Sequence, residues 1–154
     1  FNHPKPGSYN SFAYLTPERR DVVTMFEVVN AGKANYETFL VALKHGWRVA
    51  PIAVTDTHGL WCIPRHFYRT GVLALELTRE QILKAMLERR VYATFDQNLR
   101  LTMWANGRIV GSVLDGEGVD ARPVDKVHRL VGVRQQLVQR QLALGAVPVF
   151  LLAA

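Results

Sequence analysis

The sequence predicts an α/β fold in which short strands alternate with helices through the first two-thirds of the 154-residue chain. Two observations lead to this fold class: apolar runs of strand length recur along the chain, and helix start signals stand between several of them. A third observation is the Asn106-Gly107 pair between two apolar runs, which predicts a closing antiparallel hairpin. Alternation of this kind is typical of an α/β sheet or barrel.

The predicted strands are apolar runs rich in β-branched or aromatic residues and bounded by Gly, Pro or Asn. Residues 1–3 are interpreted as the end of a strand, because a loop rich in proline follows them. The other strands, in chain order, are predicted at 25–30, 50–54, 71–77, 91–95, 99–104 and 108–114.

Three helices are predicted between these strands. Thr16-Pro17-Glu18 combines an N-cap, a proline at the first helical position and an acid in the first turn, and the helix ends near Val23. Asn35 caps the second helix, and Thr78 forms a capping box with Gln81 at the start of the third. The expected inward residues are Tyr36, Phe39, Leu40 and Leu43 in the second helix, and Ile82, Leu83, Met86 and Leu87 in the third.

The C-terminal region has a different pattern. We expect residues 1–114 to form the body of the fold and residues 115–154 to form a tail that is helix-like or poorly ordered. The helix-like pattern runs from Asp125 to Leu144, with apolar side chains spaced between Arg and Gln residues.

Composition limits the class of protein. The chain is 49% hydrophobic and 21% charged, as expected for one globular unit with a substantial core. No run of about 18 apolar residues exists, which argues against a membrane span. No secretion signal is visible, and the single cysteine, Cys62, excludes an internal disulfide. These features fit a cytoplasmic protein.

The net charge of +6 is spread along the chain. A basic protein can favour anionic substrates or nucleic acid. Because no segment holds a dense basic run, we interpret most of these charges as solvated surface residues and expect no nucleic-acid partner.

Asp56-Thr57-His58-Gly59 is the motif with the clearest chemical meaning, because it follows a predicted buried strand directly. The C-terminal ends of strands carry the chemistry in α/β sheets and barrels. A carboxylate and an imidazole two residues apart can both reach one divalent metal. His3 also lies just past a predicted strand end and is a candidate third ligand. The alternative for Asp56 and His58 is a salt bridge or cap within a loop.

The loop after this motif, residues 59–69, is aromatic and basic. Arg65 or Arg69 could receive an anionic group of a substrate, and His66 is a reserve metal ligand. The alternative is a packed surface loop. A Cys62–His58 nucleophilic pair has no other supporting feature in the sequence, and it is not favoured.

Several ordered motifs resemble the C-terminal half of the PHP (polymerase and histidinol phosphatase) superfamily of metal-dependent phosphoesterases, in its branch of bacterial carbaryl-hydrolase-like proteins. The resemblance covers roughly residues 1 to 127. The matching motifs, in chain order, are Phe1-Asn2-His3-Pro4, Phe26-Glu27-Val28-Val29-Asn30, Gly46-Trp47-Arg48-Val49-Ala50-Pro51 with Asp56-Thr57-His58-Gly59, Arg69-Thr70-Gly71-Val72-Leu73-Ala74, Arg89-Arg90-Val91-Tyr92-Ala93-Thr94, Asn106-Gly107 and Gly111-Ser112.

This resemblance implies the C-terminal portion of a distorted (β/α)7 barrel and two or three divalent ions, commonly Mn, Zn or Fe. It implies that His3, Asp56 and His58 bind metal, with Asp56 and His58 at the catalytic centre. It implies hydrolysis of a small phosphorylated or ester substrate, with a weaker role for Arg69 in substrate binding. Glu27 and Asn30 are expected to support the ligands without contacting metal.

Two departures from the family pattern matter. The earlier His-x-His, Asp, Glu and His motifs are absent from this sequence, so we expect the chain to be a fragment whose barrel needs a preceding half. The Gln- and Arg-rich region after Val127 also departs from the family. The competing hypothesis is a non-catalytic α/β module that binds an anionic ligand or nucleic acid.

Overall fold

The structure is a computed structural model that describes residues 1–58 and 68–114, together with the backbone of 121–122 and 128–129. It has mixed α/β architecture, as the sequence predicts. The helical segments are α1 (Ser8–Ser11), α2 (Pro17–Val22), α3 (Tyr36–Lys44) and α4 (Arg79–Leu87). The strands are β1 (Met25–Asn30), β2 (Lys33–Ala34), β3 (Ala50–Val54), β4 (Arg69–Val72), β5 (Val91–Thr94), β6 (Leu99–Arg100), β7 (Trp104–Ala105), β8 (Arg108–Ile109), β9 (Ala121–Arg122) and β10 (His128–Arg129).

The sheet that matters for the candidate site has the order β2-β1-β3. β1 and β3 are parallel, with Met25 opposite Ala50 and Asn30 opposite Val54, and the register shifts once between Glu27 and Val29. α3 lies between these two strands in the chain and supplies the crossover that a parallel pair requires. Because the strands are parallel, the residues that follow each of them leave the sheet at the same edge.

The backbone of Phe1 extends this sheet by one residue. Its nitrogen donates to the carbonyl of Met25 at 2.7 Å, and its carbonyl accepts from the N–H of Glu27 at 3.1 Å. This alternation is the bonding pattern of a parallel neighbour. It agrees with the interpretation of residues 1–3 as the end of a strand, although the structure assigns no strand there.

The remaining strands form small antiparallel sheets. β4 pairs with β5, β7 pairs with β8 and β9, and β6 pairs with β10. Asn106 and Gly107, with φ of 48° and 73°, form the predicted tight turn between β7 and β8. Across the described ranges the strands make four separate sheets, and none of these closes into a barrel.

The helix boundaries follow the predicted caps. The side chains of Thr16, Asn35 and Thr78 accept hydrogen bonds from backbone N–H groups in the first turns of α2, α3 and α4. Every helix in the described part of the chain is too short or too polar to cross a lipid bilayer.

The predicted inward faces of α3 and α4 are partly wrong. In α3 the buried side chains are Thr38, Phe39 and Ala42, whereas Tyr36 and Leu40 are exposed. In α4 only Ala85 is buried, and Leu83 and Leu87 are exposed. Apolar spacing locates a stripe on a helix, but the tilt of the helix on the sheet decides which part of that stripe is covered.

Two further predictions need correction. β4 begins at Arg69 and ends at Val72, so it lies earlier than the predicted strand at 71–77. Leu75 and Leu77, which belonged to that predicted strand, are exposed in a bend before α4. In the predicted tail, the backbone at 128–129 pairs with β6 as a strand instead of forming a helix. The rest of the predicted C-terminal helix lies outside the described residues.

α1 is a left-handed turn that the sequence does not predict. Tyr9, Asn10, Ser11 and Phe12 have φ of 54°, 51°, 52° and 66°. Such a conformation costs roughly 1–2 kcal/mol per non-glycine residue. Phe12 offsets part of this cost, because its ring is 1% exposed and its carbonyl accepts a 2.7 Å hydrogen bond from Nε1 of Trp47.

The hydrophobic core lies between the β1–β3 sheet and the segments packed on it. Phe26 is fully buried at its centre, with the rings of Phe12 and Phe39 5.7 and 5.2 Å away between centroids. Phe1 packs against this group at its edge. The core therefore packs against both β1 and β3, the two parallel strands of this sheet.

Candidate functional site

Asp56 and His58 lie next to each other just beyond the end of β3. Oδ1 of Asp56 is 3.2 Å from Nε2 of His58, and the two side chains are 40% and 90% exposed. Asp56 has φ of 50°, a left-handed conformation that turns the chain out of the strand. An exposed contact of this kind contributes little stability on its own, whether or not His58 carries a charge.

The Asp56–His58 pair fits a divalent metal in its donor chemistry and in its spacing. A carboxylate oxygen and an imidazole nitrogen are ligands that Zn²⁺ and related ions accept. Two donors on one tetrahedral ion, each about 2 Å from it, are about 3.3 Å apart. The observed 3.2 Å separation matches this value, and it also matches the hydrogen-bonded alternative.

His3 lies beside Glu27 of β1. Its backbone N–H donates a hydrogen bond to Oε2 of Glu27, and its φ is 28°. With the side-chain amide of Asn2 oriented toward Glu27, the oxygen of that amide accepts from Nε2 of His3 at 3.3 Å. This bond leaves Nδ1 as the ring nitrogen for a ligand. Metal-binding histidines commonly donate their other ring N–H to an oxygen in this way.

Glu27 is half-buried and is the centre of a polar cluster on β1. Oε2 accepts from Nδ2 of Asn30 at 3.1 Å. In the orientation given above, Nδ2 of Asn2 lies 2.7 and 2.9 Å from the two Glu27 oxygens. Glu27 thus contacts the segment that carries His3, and Asn30 contacts Glu27. Their expected role in supporting metal ligands stays a prediction.

The two groups of predicted residues leave the sheet at one edge. Asn30 is paired in register with Val54, and the N–H of Ala31 donates to the carbonyl of Val54 at 3.1 Å. Within residues 1–58 and 68–114, however, no three His, Cys, Asp or Glu side chains are grouped closely enough to hold a metal. The structure therefore brings together Asp56 with His58 and, separately, His3 with Glu27. A common site for His3, Asp56 and His58 stays a prediction.

Tyr68 is a buried residue close to the candidate site. Its side chain is 5% exposed and packs edge-on against Phe95 at 5.9 Å between ring centroids. Burial raises the pKa of the Tyr68 phenol, and the negative charge of Asp56 raises it further. The sequence shows Tyr68 only as one aromatic residue of a loop, and nothing in the pattern singles it out.

Arg69 begins β4. Its guanidinium donates through Nη1 to the carbonyl of Tyr68 at 3.0 Å and through Nη2 to Oε1 of Gln97 at 3.5 Å. These bonds hold the side chain beside the turn that follows β5. Its predicted contact with a substrate remains a prediction. Arg65, His66 and Cys62 lie outside the described residues.

Comparison with protein-family models gave no match. Comparisons with curated proteins and with solved structures gave none either. The assignment of function therefore depends on the geometry and chemistry of the residues described above.

Proposed function

We propose that this chain is part of a metal-dependent hydrolase, most consistent with a phosphoesterase of the PHP type, in which β1 and β3 belong to a (β/α)7 barrel. The observation that carries the proposal is the pairing of Asp56 Oδ1 with His58 Nε2 at 3.2 Å directly after a parallel strand. Parallel strands direct their C-terminal ends toward the active site in such folds.

In this proposal Asp56 supplies a carboxylate oxygen and His58 supplies Nε2 to a divalent ion such as Mn, Zn or Fe. His3 supplies a third donor through Nδ1. When bound, the ion lowers the pKa of a water molecule and so provides a nucleophile near neutral pH. Two or three ions are proposed for the complete site, following the resemblance.

The chain's own residues bind and orient the substrate. The guanidinium groups of Arg69 and Arg65 neutralise the negative charge of a phosphoester, because the planar guanidinium donates in pairs to phosphate oxygens. The chain has a formal net charge of +6 at pH 7, which favours an anionic substrate over a cationic one, most strongly at low ionic strength.

Metal titration of the 154-residue chain tests the proposal. Zn²⁺ and Mn²⁺ binding is measured by calorimetry for the wild type and for Asp56→Ala and His58→Ala. Asp21→Ala and His45→Ala are matched controls, because Asp21 and His45 are exposed residues of helical segments away from the pair. We expect at least tenfold weaker binding in the first two variants and wild-type affinity in the controls.

Hydrolysis of a generic aryl phosphodiester by the metal-loaded chain is the second measurement. A wild-type chain that binds neither ion contradicts the proposal. Equal affinity in Asp56→Ala and wild type contradicts the ligand assignment. Nucleic-acid binding that falls steeply with salt, without any metal dependence, would favour the non-catalytic module instead.

A further inference from the structure

The short segment that carries His3 is held by side chains from three separate parts of the chain. The hydroxyl of Tyr9 bonds the backbone of Asn2, the carboxylate of Glu27 accepts from the N–H of His3, and Nδ2 of Asn35 donates to the carbonyl of Pro4 at 2.6 Å. Each of residues 2–4 therefore has at least one backbone polar group that is hydrogen-bonded to a side chain, although Asn2 and His3 are exposed.

Tyr9 makes the most specific of these contacts. Its Oη donates to the carbonyl of Asn2 at 3.0 Å and accepts from the N–H of the same residue at 3.3 Å. One hydroxyl therefore satisfies both main-chain polar groups of the residue that precedes His3. A hydroxyl can do this because it has one donor hydrogen and two acceptor lone pairs.

Asn2 passes this constraint to the imidazole of His3. When the amide of Asn2 is oriented with its nitrogen toward Glu27, the orientation that gives both of its polar atoms a partner, that nitrogen donates to Glu27 and the amide oxygen accepts from Nε2 of His3. The backbone of Asn2 is held by Tyr9, so the position of that amide oxygen depends on Tyr9. The contacts form a continuous series from Tyr9 through Asn2 to the His3 ring.

The left-handed turn α1 places Tyr9 for this contact. The turn is closed by hydrogen bonds from the N–H of Phe12 to the carbonyl of Tyr9 and from the N–H of Ala13 to the carbonyl of Asn10. The ring of Tyr9 rests on Phe1 and Phe12, with centroids 4.9 and 5.9 Å away. Because these ring contacts do not involve the hydroxyl, removal of the hydroxyl should leave the turn in place.

We propose that Tyr9 is a positioning residue for the metal site: through Asn2 it fixes the ring of His3 so that Nδ1 faces a bound ion. This inference rests on the proposed function, because it assigns His3 as a ligand. Tyr9 itself contacts neither metal nor substrate. Asn35 and Glu27 hold the two sides of the same segment.

Tyr9→Phe tests the inference, with Tyr14→Phe as the matched control because Tyr14 is also an exposed tyrosine, 61% accessible. Two measurements are made on the full chain: Zn²⁺ affinity by calorimetry, and order parameters of the Asn2 and His3 amides by ¹⁵N relaxation without metal. In Tyr9→Phe we expect about tenfold weaker Zn²⁺ binding. The order parameters should fall from about 0.85 toward about 0.6. Tyr14→Phe should match the wild type in both measurements.

The outcomes separate this inference from the proposed function. Wild-type Zn²⁺ affinity in Tyr9→Phe, or unchanged amide order at Asn2 and His3, overturns the positioning role even if the wild type binds metal well. A lower unfolding midpoint with unchanged metal affinity shows a purely structural role and also overturns it. Failure of the wild type to bind Zn²⁺ and Mn²⁺ overturns the proposed function, and with it the role of Tyr9 at a metal site.

Discussion

The hydroxyl of Thr70 forms two hydrogen bonds to the backbone of Ala53. It accepts from the N–H at 2.9 Å and donates to the carbonyl at 2.8 Å. Ala53 belongs to β3 and is 6% exposed, so both of its polar groups are satisfied by one side chain of β4. This contact joins the β4–β5 pair to the strand that leads to Asp56.

We predict that Thr70→Val destabilises the fold by about 2–6 kcal/mol, because two buried backbone groups lose their partner at about 1–3 kcal/mol each. Valine keeps the shape of threonine, so the effect reports the hydroxyl. Urea unfolding followed by circular dichroism measures the change. Thr70→Ser is the control and should retain most of the stability, since serine keeps the hydroxyl. A Thr70→Val variant as stable as the wild type would disprove the bridging role.

Gly111 is required by its conformation and by its surroundings. Its φ is 94°, and a Cβ at this position would lie 2.1 Å from the carbonyl oxygen of Glu88. We predict that Gly111→Ala costs more than about 2 kcal/mol, because a backbone atom must move to accept the methyl group. Gly107→Ala is the control. Gly107 also has positive φ, 73°, but its Cβ would meet nothing within 4 Å.

In Gly107→Ala only the conformational cost of about 1 kcal/mol is expected. Thermal unfolding of both variants gives the comparison. Equal destabilisation in the two variants would show that the contact with Glu88 contributes nothing.

Glu27 is predicted to order the segment around His3. In Glu27→Ala the N–H of His3 and the amide of Asn30 lose their acceptor, so the His3 amide should exchange with solvent faster than in the wild type. Hydrogen exchange measured by NMR gives the protection of that amide. Glu76→Ala is the matched control, because Glu76 is an exposed acid in the bend before α4. Equal exchange at His3 in both variants would contradict this role of Glu27.

The raised pKa of Tyr68 predicts a loss of stability at alkaline pH. Burial and the charge of Asp56 favour the neutral phenol in the folded state, whereas the unfolded chain deprotonates near 10.0. The contribution of the neutral Tyr68 phenol to the free energy of unfolding is therefore complete below pH 10.0, and it is lost as the pH rises through the folded pKa of Tyr68. Urea unfolding between about pH 8 and 11, with a chelator present, should show a smaller loss of the free energy of unfolding in Tyr68→Phe than in the wild type.

Tyr14→Phe is the control for this pH dependence, because Tyr14 is largely exposed. Its stability should fall with pH as steeply as that of the wild type. If Tyr68→Phe falls equally steeply, the phenol of Tyr68 does not contribute to the alkaline transition.

Local signals in the sequence were sufficient where a few adjacent residues decide the structure. The caps at Thr16, Asn35 and Thr78 fixed the starts of three helices, because each side chain satisfies an N–H of the first turn. Asn106-Gly107 fixed a tight turn for a similarly local reason. The positions of β1 and β3, and therefore of Asp56 and His58 just after a strand, also followed from apolar runs.

Other features depend on contacts between distant residues. In α3, Thr38 and Ala42 are buried beside the correctly predicted Phe39, whereas Tyr36 and Leu40 are exposed, because of how α3 lies on β1. The contact of Tyr9 with Asn2 depends on a left-handed turn in which Phe12 is buried and its carbonyl accepts a hydrogen bond from Nε1 of Trp47. Nothing in the sequence around Tyr9 indicates such a turn, since its residues do not favour positive φ as a group.

The sequence by itself determined that this is an α/β protein, where most of its elements begin, and that an Asp and a His follow a buried strand. These properties depend on local backbone preferences and on the period of apolar residues. Only the tertiary structure decided that Asp56 and His58 lie 3.2 Å apart and that Glu27 and Tyr9 hold the segment of His3. The physical reason is that such distances are set by the packing of strands and rings far apart in the chain, which a local pattern does not specify.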